Sequence, residues 1–279
     1  MLNQIIKMRR EEIGMSRKKL CDNLCSESTL YRFENGLHDI NSHLLFELCK
    51  RLKLETITIT DIHLTEKEHS LFLLMQHFIY KRNINELENI LMLLENNSMN
   101  NDLFKISKWC EAVILFYKKD YNACQHIIEN TISIQNPNTI IDLLILNTLI
   151  SVYILQQKYA DALDIATNCF NYINTRKIKS FDIVSKIKYS YAYSLYMMNY
   201  KNESKDVILD LVTLLMQEKT FFLLGKSYYF LYLLYKDENL TLANKYLKLS
   251  YMAFIIENNH IPKQVIKQVK SLNDISIFL

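Results

Sequence analysis

Glycine occurs 3 times and proline twice in this 279-residue chain. These are the chief breakers of helices. Proline lacks an N–H and clashes with the preceding turn, and glycine loses the most backbone entropy on ordering. A chain almost free of both is expected to run helix after helix. The same shortage excludes the phosphate loops of P-loop and dinucleotide folds, which need several glycines close together. Hydrophobic residues make up 49%, enough to give each helix an apolar face to bury. The expected fold class is all-α, in a chain long enough for two domains.

The first fifty residues carry the sharpest local signals. Residues 2–12 read as a helix, and Gly14 turns out of it. Ser16 is placed to cap a second helix, with Leu20 and Leu24 one turn apart on one face. Ser26 is placed to cap a third, which carries Leu30 and Phe33 inward and ends at Asn35-Gly36. After the loop 37–41, Ser42 is expected to cap a fourth, with Leu44, Leu45, Leu48 and Leu52 at three- and four-residue steps. On the third helix Glu27, Ser28, Thr29, Tyr31 and Arg32 face outward. A short helix with an apolar back and a polar front at its N-terminus suits the DNA major groove. The net charge is only +3, but Lys7, Arg9, Arg10, Arg17, Lys18 and Lys19 cluster at the corner of the first two helices. Arg10, Arg17 and Lys18 are therefore assigned to phosphates. Ser28, Thr29 and Arg32, with Glu27 and Tyr31 beside them, are assigned to the reading face. Arg32 suits bidentate pairing with guanine, the alternative being a structural role beside Glu34.

This stretch resembles the helix-turn-helix of the lambda-repressor/Cro (XRE) class from about Ile5 to Leu54. The resemblance rests on Arg10-Glu11-Glu12-Ile13-Gly14-Met15-Ser16, Leu20, Leu24, Ser28-Thr29-Leu30, Arg32-Phe33-Glu34-Asn35-Gly36, and Leu44, Leu45, Leu48 and Leu52. The turn Leu24-Cys25-Ser26-Glu27-Ser28 is one residue shorter than the usual turn of that class, and in this it is similar to PlcR-like regulators.

Beyond it, residues 55–61 alternate polar and apolar and read as a linker, with a short helix expected near Asp61–Leu64. Thr65 and Glu68 have capping-box spacing. From there a polar turn followed by an anchor recurs. The anchors Ile84, Tyr121, Tyr159, Tyr200 and Leu240 lie 37, 38, 41 and 40 residues apart. Five helix pairs are expected, at 66–95, 101–134, 138–173, 181–216 and 219–257, with a last helix after Pro262. Trp109 is expected in the core. The period resembles tetratricopeptide (TPR) repeats. Such pairs bury their faces by stacking, so the resemblance implies a right-handed solenoid with a concave side. The expected domains are 1–54 (helix-turn-helix), 55–64 (linker) and 65–279 (repeat domain for peptide binding and dimerisation).

A helix-turn-helix ahead of five TPR-like pairs resembles the RRNPP family of quorum-sensing transcription regulators. That resemblance implies a cytoplasmic regulator that binds a short imported signalling peptide in the concave groove and a double-stranded DNA operator as a homodimer. Repeat geometry turns Asn147 and Ser151 toward the groove, then Lys188 and Tyr191, then Lys226 with Tyr228 or Tyr229. Asn would pair with a peptide unit, Lys with a carboxylate, Tyr with apolar side chains. The alternative is a protein-interaction scaffold with the helix-turn-helix as a DNA tether. The seven histidines include no HExxH, and no Gly-x-Ser-x-Gly occurs, so no enzyme is expected. Cys21, Cys25, Cys49, Cys110, Cys124 and Cys169 fall in apolar helical patterns and are expected as small buried hydrophobes, with no metal and no cofactor. No apolar run is long enough to span a bilayer, and no signal peptide is expected before the first helix.

Overall fold

The computed structural model describes residues 2–38, 40–52, 64–95, 99–178, 180–257 and 261–271. Among them lie fifteen α-helices and no strand. The chain falls into two units, Met1–Ser133 with Asn138–Ile145, and Ile134–Pro137 with Leu146–Leu279.

The first unit opens with α1 (Leu2–Glu12), α2 (Arg17–Cys21), α3 (Glu27–Glu34) and α4 (Ser42–Arg51). Ser16 caps α2 by accepting from the Lys19 amide, and Ser26 caps α3 by accepting from the Thr29 amide. The cap of α4 is Asn41, not Ser42. Its Oδ1 accepts from the Leu44 amide at 2.8 Å, which puts Ser42 one position inside the helix. Gly36 takes φ +71° and closes α3 through Gly36 N–H to Phe33 O and Leu37 N–H to Arg32 O. Ile6, Leu20, Leu30, Phe33, Leu45, Leu48 and Leu52 form one buried core, joined by Leu73. Leu73 comes from α5 (Glu66–Lys81), so this core extends beyond the first four helices. Leu64 excepted, the linker expected at 55–64 lies outside the described residues.

From α5 onward the helices form the five expected pairs. In the first unit these are α5 with α6 (Ile84–Glu95), and α7 (Asn101–Tyr117) with α8 (Tyr121–Thr131). Then follow α9 (Ile140–Leu155) and α10 (Tyr159–Arg176), α11 (Phe181–Met197) and α12 (Lys201–Gln217), α13 (Leu224–Tyr235) and α14 (Leu240–Ile256), and finally α15 (Lys263–Ser271). The Thr65–Glu68 capping box forms at the start of α5. Trp109 is buried against Phe72, with ring centroids 6.3 Å apart. Asp142 is buried and ties α7 to the segment before α9. It accepts from Lys105 Nζ at 2.7 Å and from the amides of Asn138 and Thr139. No helix is long and apolar enough to cross a membrane among the described residues.

The first four pairs turn alike. Arg82, Lys119, Gln157 and Asn199 sit at positive φ. In each turn that residue's amide donates three residues back and the next amide five back, as from Gln157 to Ile154 O and from Lys158 to Tyr153 O. This is the Schellman turn, whose left-handed position is usually glycine. Helices α6, α8, α10 and α14 begin at the anchors Ile84, Tyr121, Tyr159 and Leu240, whereas Tyr200 is the N-cap residue and α12 begins at Lys201. The third-to-fourth step is thus 42 residues between helix starts, one more than the anchor spacing. Gly225 is instead set by packing against a side chain. A Cβ at Gly225 would meet Phe254 at 3.0 Å.

Five of the six cysteines are buried. Cys25 is half-buried and lies in the α2–α3 turn instead of a helix. Burial pushes the thiols of Cys49, Cys124 and Cys169 up to about 12.

A left-handed backbone costs a non-glycine residue roughly 1–2 kcal/mol, partly offset by the entropy glycine loses on folding. Lys119 and Gln157 are both exposed, so their side chains bury little. Lys119→Gly and Gln157→Gly are each expected to raise stability by about 0.5–1 kcal/mol in denaturant melts. Asn199→Gly should change little, since asparagine tolerates this conformation.

Candidate nucleic-acid interface and ligand-facing strip

Helix α3 is held by a buried carboxylate. The Glu34 side chain is fully buried. It accepts from Arg10 Nε at 2.5 Å, Arg10 Nη2 at 2.9 Å and Arg17 Nε at 2.6 Å. Arg10 also donates to Met15 O and Glu11 Oε1. These bonds tie α1 and the start of α2 to the end of α3. Charge-assisted bonds of this kind are the strong ones, and here they fill most of the carboxylate's accepting capacity. The Glu34 bonds raise the Arg10 pKa above its ordinary value against the opposing effect of burial.

This corrects one sequence-based role. Arg10 was expected on phosphates, but it is buried and its donors are spent inside the protein. The structural partner of Glu34 is Arg10 together with Arg17, and Arg32 is left exposed. Arg17 is half-buried, with its guanidinium carbon 5.2 Å from the Tyr31 ring centroid, and Lys18 is exposed.

The front of α3 is polar and open. Glu27, Ser28, Tyr31 and Arg32 are exposed and Thr29 is half-buried, while Leu30 and Phe33 form the buried back. The cap also organises the front. Ser26 Oγ lies 2.9 Å from Ser28 Oγ and 2.8 Å from Thr29 Oγ1, so the three hydroxyls are linked. Ser26 was assigned only as a cap; its i, i+2 and i+3 hydroxyl spacing was the signal for this wider role.

In the second unit, contacts define which sector of each helix stays open. On α11, Ser190 Oγ donates to Asn147 Oδ1 of α9 at 2.7 Å. Tyr191 stacks on Phe170 of α10 at 4.7 Å. Lys188 pairs with Asp210 of α12, and Ser204 of α12 donates to Ala192 O. Tyr189, Tyr193 and Tyr196 meet Phe230 of α13 at centroid distances of 5.9, 5.5 and 5.5 Å. Each residue advances the helix by roughly 100°. The sector between the α9 and α13 sides therefore carries Asp182 and Lys186, flanked by Tyr189, Ser190 and Tyr193. All five are half-buried except Ser190, which is buried.

The same reasoning on α13 leaves Lys226, Tyr229 and Leu233, and Phe222, in the turn before α13, joins them through Lys186. Tyr228 is turned away, donating to Met216 Sδ and stacking on Tyr246. Tyr229 sits at the edge of the sector, stacked on Tyr232 at 5.6 Å. On α9, Asn147 and Ser151 are half-buried, and Ser151 Oγ donates to Asn147 O.

Of the residues chosen from sequence for a ligand, Asn147, Ser151, Lys226 and Tyr229 thus share an open strip. Lys188, Tyr191 and Tyr228 do not. They are committed to α12, α10 and the α12–α14 side, respectively. The missed residues are Lys186, Tyr189, Ser190, Tyr193 and Phe222. The 42-residue step finds two of them, carrying Asn147 onto Tyr189 and Ser151 onto Tyr193; Lys186, Ser190 and Phe222 emerge only from the contacts.

Burial raises the Asp182 pKa, an effect that nearby Lys186 opposes. Lys186 Nζ lies 5.4 Å from the Phe222 centroid. Burial also raises the Tyr189 hydroxyl above its ordinary value.

Residues 6–58 match the Helix-turn-helix family model. No curated protein matches the sequence. Among solved structures, Bacillus thuringiensis PlcR in complex with the peptide PapR7 and DNA is similar at 17% identity and a TM-score of 0.61, over 98% of this chain and 99% of that one. Apo PlcR from the same organism is similar at 15% identity and a TM-score of 0.64, over 96% and 98%. A transcriptional regulator assigned in Listeria monocytogenes is similar at 14% identity and a TM-score of 0.50, over 97% and 95%. The shared feature is the fold, an N-terminal helix-turn-helix followed by paired helices.

Removing Glu34 would leave buried Arg10 with only the exposed Glu11 carboxylate as counter-charge, a loss of roughly 3–5 kcal/mol. Glu34→Ala is expected to unfold α1–α4. Hydrogen exchange at the α3 amides would show it; protection at Leu30 equal to wild type would contradict it.

Proposed function

We propose that this chain, built on the fold it shares with PlcR and opening with a helix-turn-helix, is a DNA-binding transcription regulator of the RRNPP kind, controlled by a short peptide. The observation that carries the DNA half is the asymmetry of α3, with Leu30 and Phe33 buried behind and Glu27, Ser28, Tyr31 and Arg32 exposed in front. A helix of this build enters the major groove with its N-terminal residues on base edges. Arg32 reads guanine, Ser28 and Thr29 line the same edge, and Glu27 and Tyr31 flank them. Lys18, and the guanidinium edge of Arg17 left after its bond to Glu34, take phosphates. Arg10 supports the assembly from behind.

The peptide half is supported by the open strip of α9, α11 and α13. It offers an amide at Asn147, aromatic rings and lysines, groups that suit an extended peptide, with Ser151 beside the amide on the same face of α9. The PlcR structure that is similar to this chain holds the peptide PapR7 and DNA together. The effector here is assigned to the same class, a short signalling peptide acting inside the cell. A single helix-turn-helix reads few bases, so the active species is a homodimer on paired half-sites.

The test is selection of duplexes from a random library by the full-length chain. Wild type should enrich a paired half-site motif, and Arg32→Ala should lose that discrimination with its melting curve unchanged. Equal discrimination by Arg32→Ala would remove Arg32 from the readout. Lys18→Ala should weaken all duplexes alike and reduce the salt slope by about one. Sedimentation on the selected duplex should give two chains per site; one chain per site would contradict the dimer.

A further inference from the structure

We infer that the ligand of the open strip is a short apolar peptide bearing a carboxylate, and that Lys186 receives that carboxylate. This rests on the peptide reading above and adds the chemistry of the ligand.

The strip is one-sided in its hydrogen bonding. Asn147 Oδ1 is already engaged by Ser190 Oγ at 2.7 Å, which fixes the amide with its NH₂ as the group left to act. That end of the strip donates, so the ligand must supply a carbonyl. The Ser151 hydroxyl is itself spent on Asn147 O. The middle of the strip is aromatic. Tyr189 and Tyr193 lean on Phe230 and form a wall for apolar side chains. The far end is cationic. Lys186 Nζ lies over the Phe222 ring at 5.4 Å, half-buried, and Lys226 stands on the next strip-lining helix.

The charged side chains named on the strip are Lys186, Lys226 and Asp182. Lys188, two residues from Lys186, is withdrawn by its pair with Asp210. Asp182 is a carboxylate on the same helix, and Lys186 opposes the effect of burial on it. A half-buried ammonium held against a ring face keeps its N–H donors for an anionic partner, and a charge-assisted bond there is stronger than one in open water. The ligand that satisfies every part of the strip offers acceptors, apolar bulk and one negative group. A peptide's free C-terminus and a Glu or Asp side chain supply the same carboxylate chemistry.

Three pools of random hexapeptides built from Ala, Val, Leu, Ile, Phe and Pro separate these sources. The first has free C-termini, the second is C-terminally amidated, and the third is amidated with one Glu per peptide. Each is incubated with the full-length chain, passed over a size-exclusion column, and the retained peptides are counted by mass spectrometry. The first or third pool should be retained at least tenfold more than the second, and which of them it is identifies the carboxylate. Lys186→Gln should erase that preference with its melting temperature unchanged, while Asn147→Ala should weaken every pool. Retention of the second pool equal to the others, or a preference that survives Lys186→Gln, would overturn the carboxylate assignment and leave peptide binding standing. Retention of no pool by wild type would overturn both.

Discussion

The Glu34 carboxylate is the interaction on which the N-terminal geometry depends. It is fully buried, and an ionised group in that position must be paired or it destabilises the fold. Arg10 and Arg17 pair it from α1 and the start of α2. The three helices are thereby fixed at one point, and the front of α3 is presented at a set angle. Replacing such a cluster with apolar side chains often costs nothing in stability. Its value here is positional: it holds Arg17 against Tyr31 and leaves Arg32 and Ser28 open. Arg17 and the front of α3 are therefore held to one another through Glu34 and Tyr31.

The second unit solves a different problem. Its helices must bury apolar faces against several neighbours, and the sector that remains is narrow. On α11 four neighbouring helices claim Lys188, Ser190, Tyr191, Ala192 and the tyrosines, and what is left is Asp182, Lys186 and the flanks of Tyr189 and Tyr193. The open sector is what packing leaves uncovered. The bond between Ser190 and Asn147 shows the two uses meeting, since it joins two helices and also orients an amide toward open space.

Much of this was legible in the residues alone. The shortage of glycine and proline, the caps Ser16 and Ser26, the Thr65–Glu68 box and the recurring turns placed the helices. Local signals suffice for that because caps and turns act within a few residues. Side-chain destinations were less legible. Arg10 reads as one of six surface charges until Glu34, 24 positions later, is brought beneath it. The 41-residue anchor step from Asn147 leads to Lys188, whereas the helix starts are 42 residues apart because Tyr200 is the cap of α12, which leads to Tyr189. A slip of one or two residues on a helix rotates the chosen face by roughly 100–200°, enough to move a side chain from an open sector to a packed one. The Asn41 cap was missed for a similar reason, since Asn41-Ser42 offers two capping residues in succession and only the backbone decides between them.

A peptide-controlled regulator of the kind proposed requires that ligand on the open strip and DNA on α3 be energetically coupled. Coupling between two ligands is reciprocal, typically about 5–150-fold in affinity. The most direct test is fluorescence anisotropy of a selected duplex with full-length protein, with and without a saturating retained peptide, paired with the peptide's affinity at saturating duplex. Both affinities are expected to change by the same factor, at least about fivefold. Two affinities each indifferent to the other ligand would contradict it.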